Sequence, residues 1–75
     1  MTLNEFVDCI AGEYEETPAD QFTADTKFKE LDDWGSLTAL SIIGVVDEEF
    51  DVTITGADIR SCTTIEDLYN LIQGK

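Results

Sequence analysis

Residues 32–50, which read DDWGSLTALSIIGVVDEEF, constrain the fold more than any other stretch of this chain. After Ser36, apolar side chains recur with the i, i+3, i+4, i+7, i+11 spacing of one helical face, at Ala39, Ile42, Ile43, Val46 and Phe50. The pattern predicts a helix from about Ser36 to Phe50 whose apolar stripe packs on a core.

A second apolar stripe flanks the first on the same predicted helix, at Leu37, Leu40 and Gly44. A helix with two apolar stripes either lies deep in a core or offers one stripe to a partner. Full burial of a helix is difficult in a chain of 75 residues. We therefore expect the flanking stripe to contact a partner protein.

Three further helices are indicated by capping residues and apolar spacing. Thr2 and Glu5 have capping-box spacing and precede a stripe that ends near Gly12, at Leu3, Phe6, Val7, Ile10 and Tyr14. Thr55 and Asp58 predict a short third helix. A final helix is predicted to begin with a capping box of Thr63 and Glu66, to end at Gly74, and to carry a stripe at Ile65, Leu68, Tyr69 and Ile72.

The segments between these helices read as loops. Residues 15–35 are rich in turn-forming residues, but they contain four large apolar anchors, at Phe22, Phe28, Leu31 and Trp34. The sequence TKFKEL within them predicts one short helical turn. DVTI, residues 51–54, alternates too briefly to find a partner strand and is expected to be an extended linker. The predicted fold class is all-α, a small four-helix bundle with a long first loop and a short third helix, in a single domain covering residues 1–75.

The charge balance restricts the possible partners. The chain has 17 acidic and 4 basic residues, a formal net charge of −13. Nucleic acids and anionic membranes are unsuitable partners because phosphate contacts need Lys and Arg. Basic protein surfaces are suitable partners, although acidity that serves solubility alone is an open alternative. The longest nearly apolar stretch, LTALSIIGVV, is ten residues long, whereas a membrane span needs about 20, so we expect a soluble protein.

The residue inventory argues against catalysis and against a metal site. With no histidine, Ser-His and Cys-His catalysis and a zinc site are excluded. DVTITGADIRSC resembles a calcium-binding loop only weakly, since Cys62 stands where a bidentate Glu is needed. Polar residues near the start of the chain argue against a signal peptide, so we expect a cytoplasmic protein in which Cys9 and Cys62 are free thiols that serve packing.

Ser36 is the residue with the most specific functional interpretation. A serine at a helix start is often a plain N-cap. The same position also suits an attached anion, since free N–H groups and the positive end of the helix dipole favour negative charge there. At the other end of this helix, acids accumulate where they are unfavourable, at Asp47, Glu48, Glu49 and Asp51. These acids are interpreted either as a partner contact or as a merely solvated face.

The stretch FKELDDWGSLTALSIIGVVDEEFDV resembles the signature region of acyl carrier proteins. The matching positions are a Phe and Leu anchor, a Ser-Leu pair and an acidic-Phe segment, at Phe28, Leu31, Ser36, Leu37 and residues 47–50. The helix order, the long first loop and the terminal CTTIEDLYNLI are also similar, so the resemblance covers nearly the whole chain.

The resemblance implies that Ser36 carries a covalent 4′-phosphopantetheine arm, installed by a phosphopantetheinyl transferase from coenzyme A. The arm would hold acyl groups as thioesters for fatty acid, polyketide or related biosynthesis, and the protein itself would not be an enzyme. The partners implied are acyl-transferring or acyl-activating enzymes with basic docking surfaces, which would contact Leu37, Leu40, Asp47 and Glu48. The carrier would be monomeric and would not insert into membranes.

Three positions depart from the family pattern. Gly35 stands where an Asp usually precedes the serine, and it supplies neither a side-chain acceptor nor a metal ligand. Asp32 and Asp33 are candidates to replace it. Ser41 and Gly44 replace an acid and a larger apolar residue of the fatty-acid carriers. These departures favour a carrier for a specialised pathway, and the alternative is an unmodified acidic interaction module on the same fold.

Overall fold

The computed structural model describes residues 2–75, and the four α-helices α1 to α4 span Leu3–Ala11, Ser36–Phe50, Gly56–Ser61 and Ile65–Gln73. Two 3₁₀ turns, Ala19–Gln21 and Phe28–Glu30, interrupt the long loop between α1 and α2. No strand occurs within the described residues, and 51–55 form a linker that begins with Asp51 in the left-handed conformation, with φ of 55°. The predicted all-α fold with a long first loop and a short third helix is confirmed.

The N-termini of α1 and α3 are capped as the sequence predicts. The Thr2 hydroxyl accepts a hydrogen bond from the Glu5 N–H at 3.2 Å, and the Glu5 carboxylate accepts one from the Thr2 N–H at 3.0 Å. Thr55 and Asp58 form the same pair of bonds, at 3.2 and 3.0 Å. These reciprocal bonds satisfy backbone donors that a helix start leaves free.

The predicted capping box of α4 is wrong by one residue. Thr64, not Thr63, accepts the hydrogen bond from the backbone of the third helical residue, and that residue is Asp67, not Glu66. The Asp67 carboxylate accepts from both the Thr64 and Thr63 N–H groups, at 3.0 and 3.1 Å. The observed register leaves the Glu66 N–H free to donate to the carbonyl of Ala24 in the first loop, at 2.9 Å.

The core is built from all four helices and from the long loop. Phe6 of α1 is fully buried, and its ring lies 5.4 Å from that of Phe50 and 5.5 Å from that of Tyr69. The predicted α2 stripe does face this core, with Ile42 and Val46 fully buried and the other members half-buried. Packing of this stripe therefore fixes the orientation of α2.

The long loop is pinned to the core by its aromatic anchors. Tyr14 lies beyond the end of α1 rather than inside it, but two turn hydrogen bonds, Glu13 N–H to Ile10 and Tyr14 N–H to Ala11, keep it directed inward. Its buried hydroxyl donates to the Phe28 carbonyl at 2.6 Å. Phe28 in turn packs edge-on against Trp34, with ring centroids 5.6 Å apart. These contacts connect Tyr14, just after α1, with Trp34, two residues before the start of α2.

Candidate functional site

Ser36 is the first residue of α2, and it is exposed to solvent. The N-cap position belongs to Gly35, so the interpretation of Ser36 as a plain N-cap serine is wrong. Within residues 2–75 the Ser36 hydroxyl takes part in no hydrogen bond. The fold therefore leaves this oxygen free.

The start of α2 has no side-chain cap, in contrast to the starts of α1, α3 and α4. Gly35 has no side chain to offer, and the first turn contains no acid. The first intrahelical bond is the one from the Ala39 N–H to the Gly35 carbonyl, at 3.0 Å. The N–H groups of Ser36, Leu37 and Thr38 thus have no partner one turn earlier, and together with the helix dipole they favour an anion attached at Ser36.

Asp33 joins the first loop to the start of α2. Its carboxylate accepts hydrogen bonds from the Thr17 hydroxyl at 2.8 Å and from the N–H groups of Glu16 and Thr17 at 3.0 and 3.2 Å. Its carbonyl accepts a bond from the Thr38 hydroxyl at 2.9 Å. Desolvation alone would raise the pKa of the Asp33 carboxyl, but the bonds from Thr17 and Glu16 outweigh it and lower this pKa. The Asp33 side chain therefore has a structural role, which is to hold the first loop against the start of α2. No pattern in the sequence predicts this role.

Two cavities open on either side of Ser36, and both are also lined by Gly35. The larger, of about 540 Å³, has an acidic lining of Glu13, Glu15, Glu16 and Asp33. The smaller, of about 310 Å³, lies between α2 and α3 and is lined by Trp34, Ala39, Gly56, Ile59 and Arg60. Neither cavity was predicted from the sequence, because each depends on how distant segments meet.

The four predicted partner-contact residues lie on exposed positions of α2. Leu37 and Leu40 are 81% and 63% exposed, and their i, i+3 spacing makes them neighbours on the surface of the helix. Asp47 and Glu48 are exposed two to three turns further along the helix. Helical spacing places all four on one side of α2, opposite its buried stripe. We call these four residues the docking face.

The remaining reactive groups form no second site. Cys9 and Cys62 are free thiols, and burial raises the pKa of each. In the part of the chain that the structure describes, no three acidic, Cys or His side chains converge as metal ligands would. None of the helices within 2–75 is long and apolar enough to cross a bilayer.

Comparison with known proteins identifies the family. A family model described as the phosphopantetheine attachment site matches residues 4–72, nearly the whole chain. No curated protein and no solved structure is significantly similar to the chain. The family carries a covalently attached 4′-phosphopantetheine, and its domains are non-catalytic carriers that interact with phosphopantetheinyl transferases and acyl-handling enzymes. With its four-helix fold and its free serine at the start of α2, the chain belongs to this family of phosphopantetheine-bearing carrier proteins.

Proposed function

We propose that Ser36 bears the 4′-phosphopantetheine arm and that the protein carries acyl groups as thioesters on this arm. The observation that carries the proposal is the position of Ser36, an exposed serine with a free hydroxyl at the uncapped start of α2. It lies inside the range that the family model matches. The sequence resemblance to acyl carrier proteins points to the same residue.

The residues around Ser36 are compatible with a phosphodiester there. In loading, the Ser36 oxygen attacks the β-phosphorus of coenzyme A, and the pyrophosphate bond breaks. The adenosine 3′,5′-bisphosphate leaves, and the serine proton passes to a base of the transferase. This chain supplies an accessible nucleophile and backbone N–H groups that favour the resulting anion. Acyl groups are attached and removed by other enzymes, and the chain itself catalyses neither step.

The docking face indicates which class of partner protein the proposed carrier would bind. Its two exposed leucines lie in the first two turns of α2 close to Ser36, and its two exposed acids add negative charge two to three turns further along the helix. This combination suits basic grooves on a phosphopantetheinyl transferase and on acyl-transferring or acyl-activating enzymes. We propose a monomeric cytoplasmic carrier that serves a specialised lipid, polyketide or related pathway, since Gly35, Ser41 and Gly44 depart from the fatty-acid carriers.

One observation favours a second candidate function, an unmodified acidic interaction module. Gly35 offers no carboxylate before the serine, and Asp33 does not replace it because its carboxylate is held by Thr17 and Glu16. Such a module would bind enzymes through the docking face without holding any substrate.

Intact-mass measurement distinguishes the two functions. The purified protein is incubated with coenzyme A and a broad-specificity phosphopantetheinyl transferase, and we expect a gain of one phosphopantetheine. Ser36→Ala should abolish the gain, whereas Ser41→Ala, which changes the exposed serine one turn further along α2, should retain it. A wild-type protein that gains no mass would favour the interaction module, and a gain that persists in Ser36→Ala would move the attachment site elsewhere.

A further inference from the structure

The two cavities beside Ser36 differ in charge, and this difference determines where an anionic arm can lie. The larger cavity is lined by four carboxylates, and the lining of the smaller one contains a guanidinium and no acid. We propose that Arg60 binds the phosphodiester on Ser36 and directs the arm into the smaller cavity, an inference that rests on the attachment proposed above.

The Arg60 side chain folds back along α3 toward the cavity. Its Nη1 atom lies over Gly56, only 3.3 Å from the position that a Cβ on Gly56 would occupy. Gly56 and Arg60 both line the cavity that Ser36 also lines. The absence of a side chain at Gly56 thus leaves room for the guanidinium to lie along this wall.

Arg60 is also free of carboxylate partners within residues 2–75, although the chain has 17 acids and only 4 bases. Lys75 forms an ion pair with Asp58 at 3.3 Å, so that neighbouring acid is already engaged. Lys29 donates to the Arg60 carbonyl at 3.0 Å, which holds the backbone of α3 and not the guanidinium. A guanidinium left unpaired in so acidic a protein is available for a phosphate, which it can bind through two parallel hydrogen bonds.

Repulsion on the opposite side acts in the same direction. A phosphodiester that turned toward the larger cavity would approach Glu13, Glu15, Glu16 and Asp33. Like charges at short range disfavour this arrangement, and the exposed setting reduces the effect without reversing it. The acid-lined wall and Arg60 together therefore favour one of the two directions.

The smaller cavity also offers apolar contacts to the arm beyond its phosphate. Trp34, Ala39 and Ile59 contribute to its lining, and Ile59 is almost fully buried. The geminal methyl groups of pantetheine match such a surface, since small-molecule sites combine apolar walls with a few placed polar groups. Trp34 is the single tryptophan of the chain, so its indole reports on occupancy of this cavity.

The experiment uses isotope-labelled full-length protein loaded with an unlabelled arm, with loading verified by intact mass. We expect isotope-filtered NOEs from the pantetheine methyl groups to the Trp34 indole and to Ile59. Arg60→Gln should weaken them about two- to five-fold, the range expected for an exposed ion pair. Arg60→Lys should preserve part of the intensity. Lys27→Gln removes the same charge from an exposed residue that lines neither cavity, and it should leave the NOEs unchanged.

Three results would overturn the inference. NOEs to Thr38 or Ser41 instead of Trp34 would place the arm over the larger cavity. NOEs that do not respond to Arg60→Gln would remove Arg60 from the arm's contacts, and an arm without NOEs to either cavity would mean that it stays in solvent. In each of these cases the mass gain at Ser36 stands, so the proposed function survives. Failure to load Ser36 at all would overturn both.

Discussion

The Asp33 carboxylate accepts a hydrogen bond from the Thr17 hydroxyl at 2.8 Å, across 16 positions of sequence. The same residue accepts a bond from the Thr38 hydroxyl through its carbonyl. Asp33 thus connects the first loop with the first turn of α2, and it stands three residues before Ser36. The placement of Ser36 depends on this connection as well as on the core contacts of α2.

We expect Asp33→Asn to lower the free energy of unfolding at pH 7, because an amide replaces a charged acceptor that takes three hydrogen bonds. The pKa of this carboxyl is lowered in the folded state from its ordinary value of 3.8. Its contribution is therefore complete above pH 3.8 and is lost as the pH falls through the lower folded value. Urea denaturation at neutral and acidic pH measures the difference between wild type and variant, which should shrink in acid.

Asp20→Asn is the matched control, since the Asp20 side chain is exposed and has no hydrogen-bond partner within the described residues. Its effect should be small at both pH values. A difference between wild type and Asp33→Asn that stays constant down to acidic pH would show that the charge of Asp33 contributes nothing.

Tyr14→Phe should destabilise the protein by about 1–2 kcal/mol, because it removes the donor to the buried Phe28 carbonyl. The ring and its contact with Phe22, at 5.0 Å between centroids, remain in this variant. Tyr14→Ala removes both and should cost more, about 3–5 kcal/mol. Equal losses in the two variants, measured by chemical denaturation, would contradict a separate contribution from the hydroxyl.

Leu40→Ala and Glu48→Lys should weaken docking without unfolding the protein. Both side chains are exposed, so we expect stability changes within about 0.5 kcal/mol. The KM for loading by a phosphopantetheinyl transferase should rise by roughly five- to ten-fold if these residues contact the enzyme. Asp20→Lys, the same type of charge reversal away from the docking face, should load like wild type. An unchanged KM in both docking-face variants would remove this face from the transferase contact.

Gly35→Asp tests whether the missing carboxylate limits loading. A Cβ at this position meets no atom within 4 Å, and the extended backbone with φ of −172° accepts any residue. Since Gly and Asp differ only modestly as N-caps, stability should rise by no more than about 0.5 kcal/mol. If Gly35 slows modification, the rate of mass gain should increase clearly in this variant, with Ser36→Ala as the unloaded reference. A slower rate would show that a transferase for this carrier prefers glycine.

Added salt should raise the melting temperature, and magnesium should do so at lower concentration. With a net charge of −13, repulsion between side chains opposes the compact state, and counterions screen it. Thermal melts at increasing sodium chloride and magnesium chloride measure this. Curves that coincide from low to moderate ionic strength would contradict the prediction, and saturation at a low magnesium concentration would indicate a specific site instead of screening.

Sequence patterns predicted those features that depend on residues close together in the chain. The limits of α2 at Ser36 and Phe50 follow from one long apolar stripe, and Thr2 and Thr55 cap their helices because the acid needed stands three residues later. The cap of α4 was misassigned because Thr63 and Thr64 both precede an acid at that distance. The observed register leaves the Ile65 and Glu66 N–H groups to donate to the carbonyls of Thr26 and Ala24 in the first loop, contacts that no local pattern predicts.

The surroundings of Ser36 could be predicted only in part. The serine itself and the exposed leucines are local features of α2, and the resemblance identified them. The bonds of Asp33 to Thr17, and the approach of Arg60 to the smaller cavity beside Ser36, join segments more than 15 residues apart. No spacing pattern in the sequence predicts these long-range contacts, because they depend on how the long loop and α3 pack against α2.

The hydroxyl of Ser36 makes no capping hydrogen bond at the start of α2, whereas the hydroxyls of Thr2, Thr55 and Thr64 each cap the helix that follows them. A group attached to that oxygen would therefore displace no hydrogen bond that caps a helix. If the phosphopantetheine arm is attached to this oxygen as proposed, loading is a separate event from folding, and a protein that fails to load should still fold.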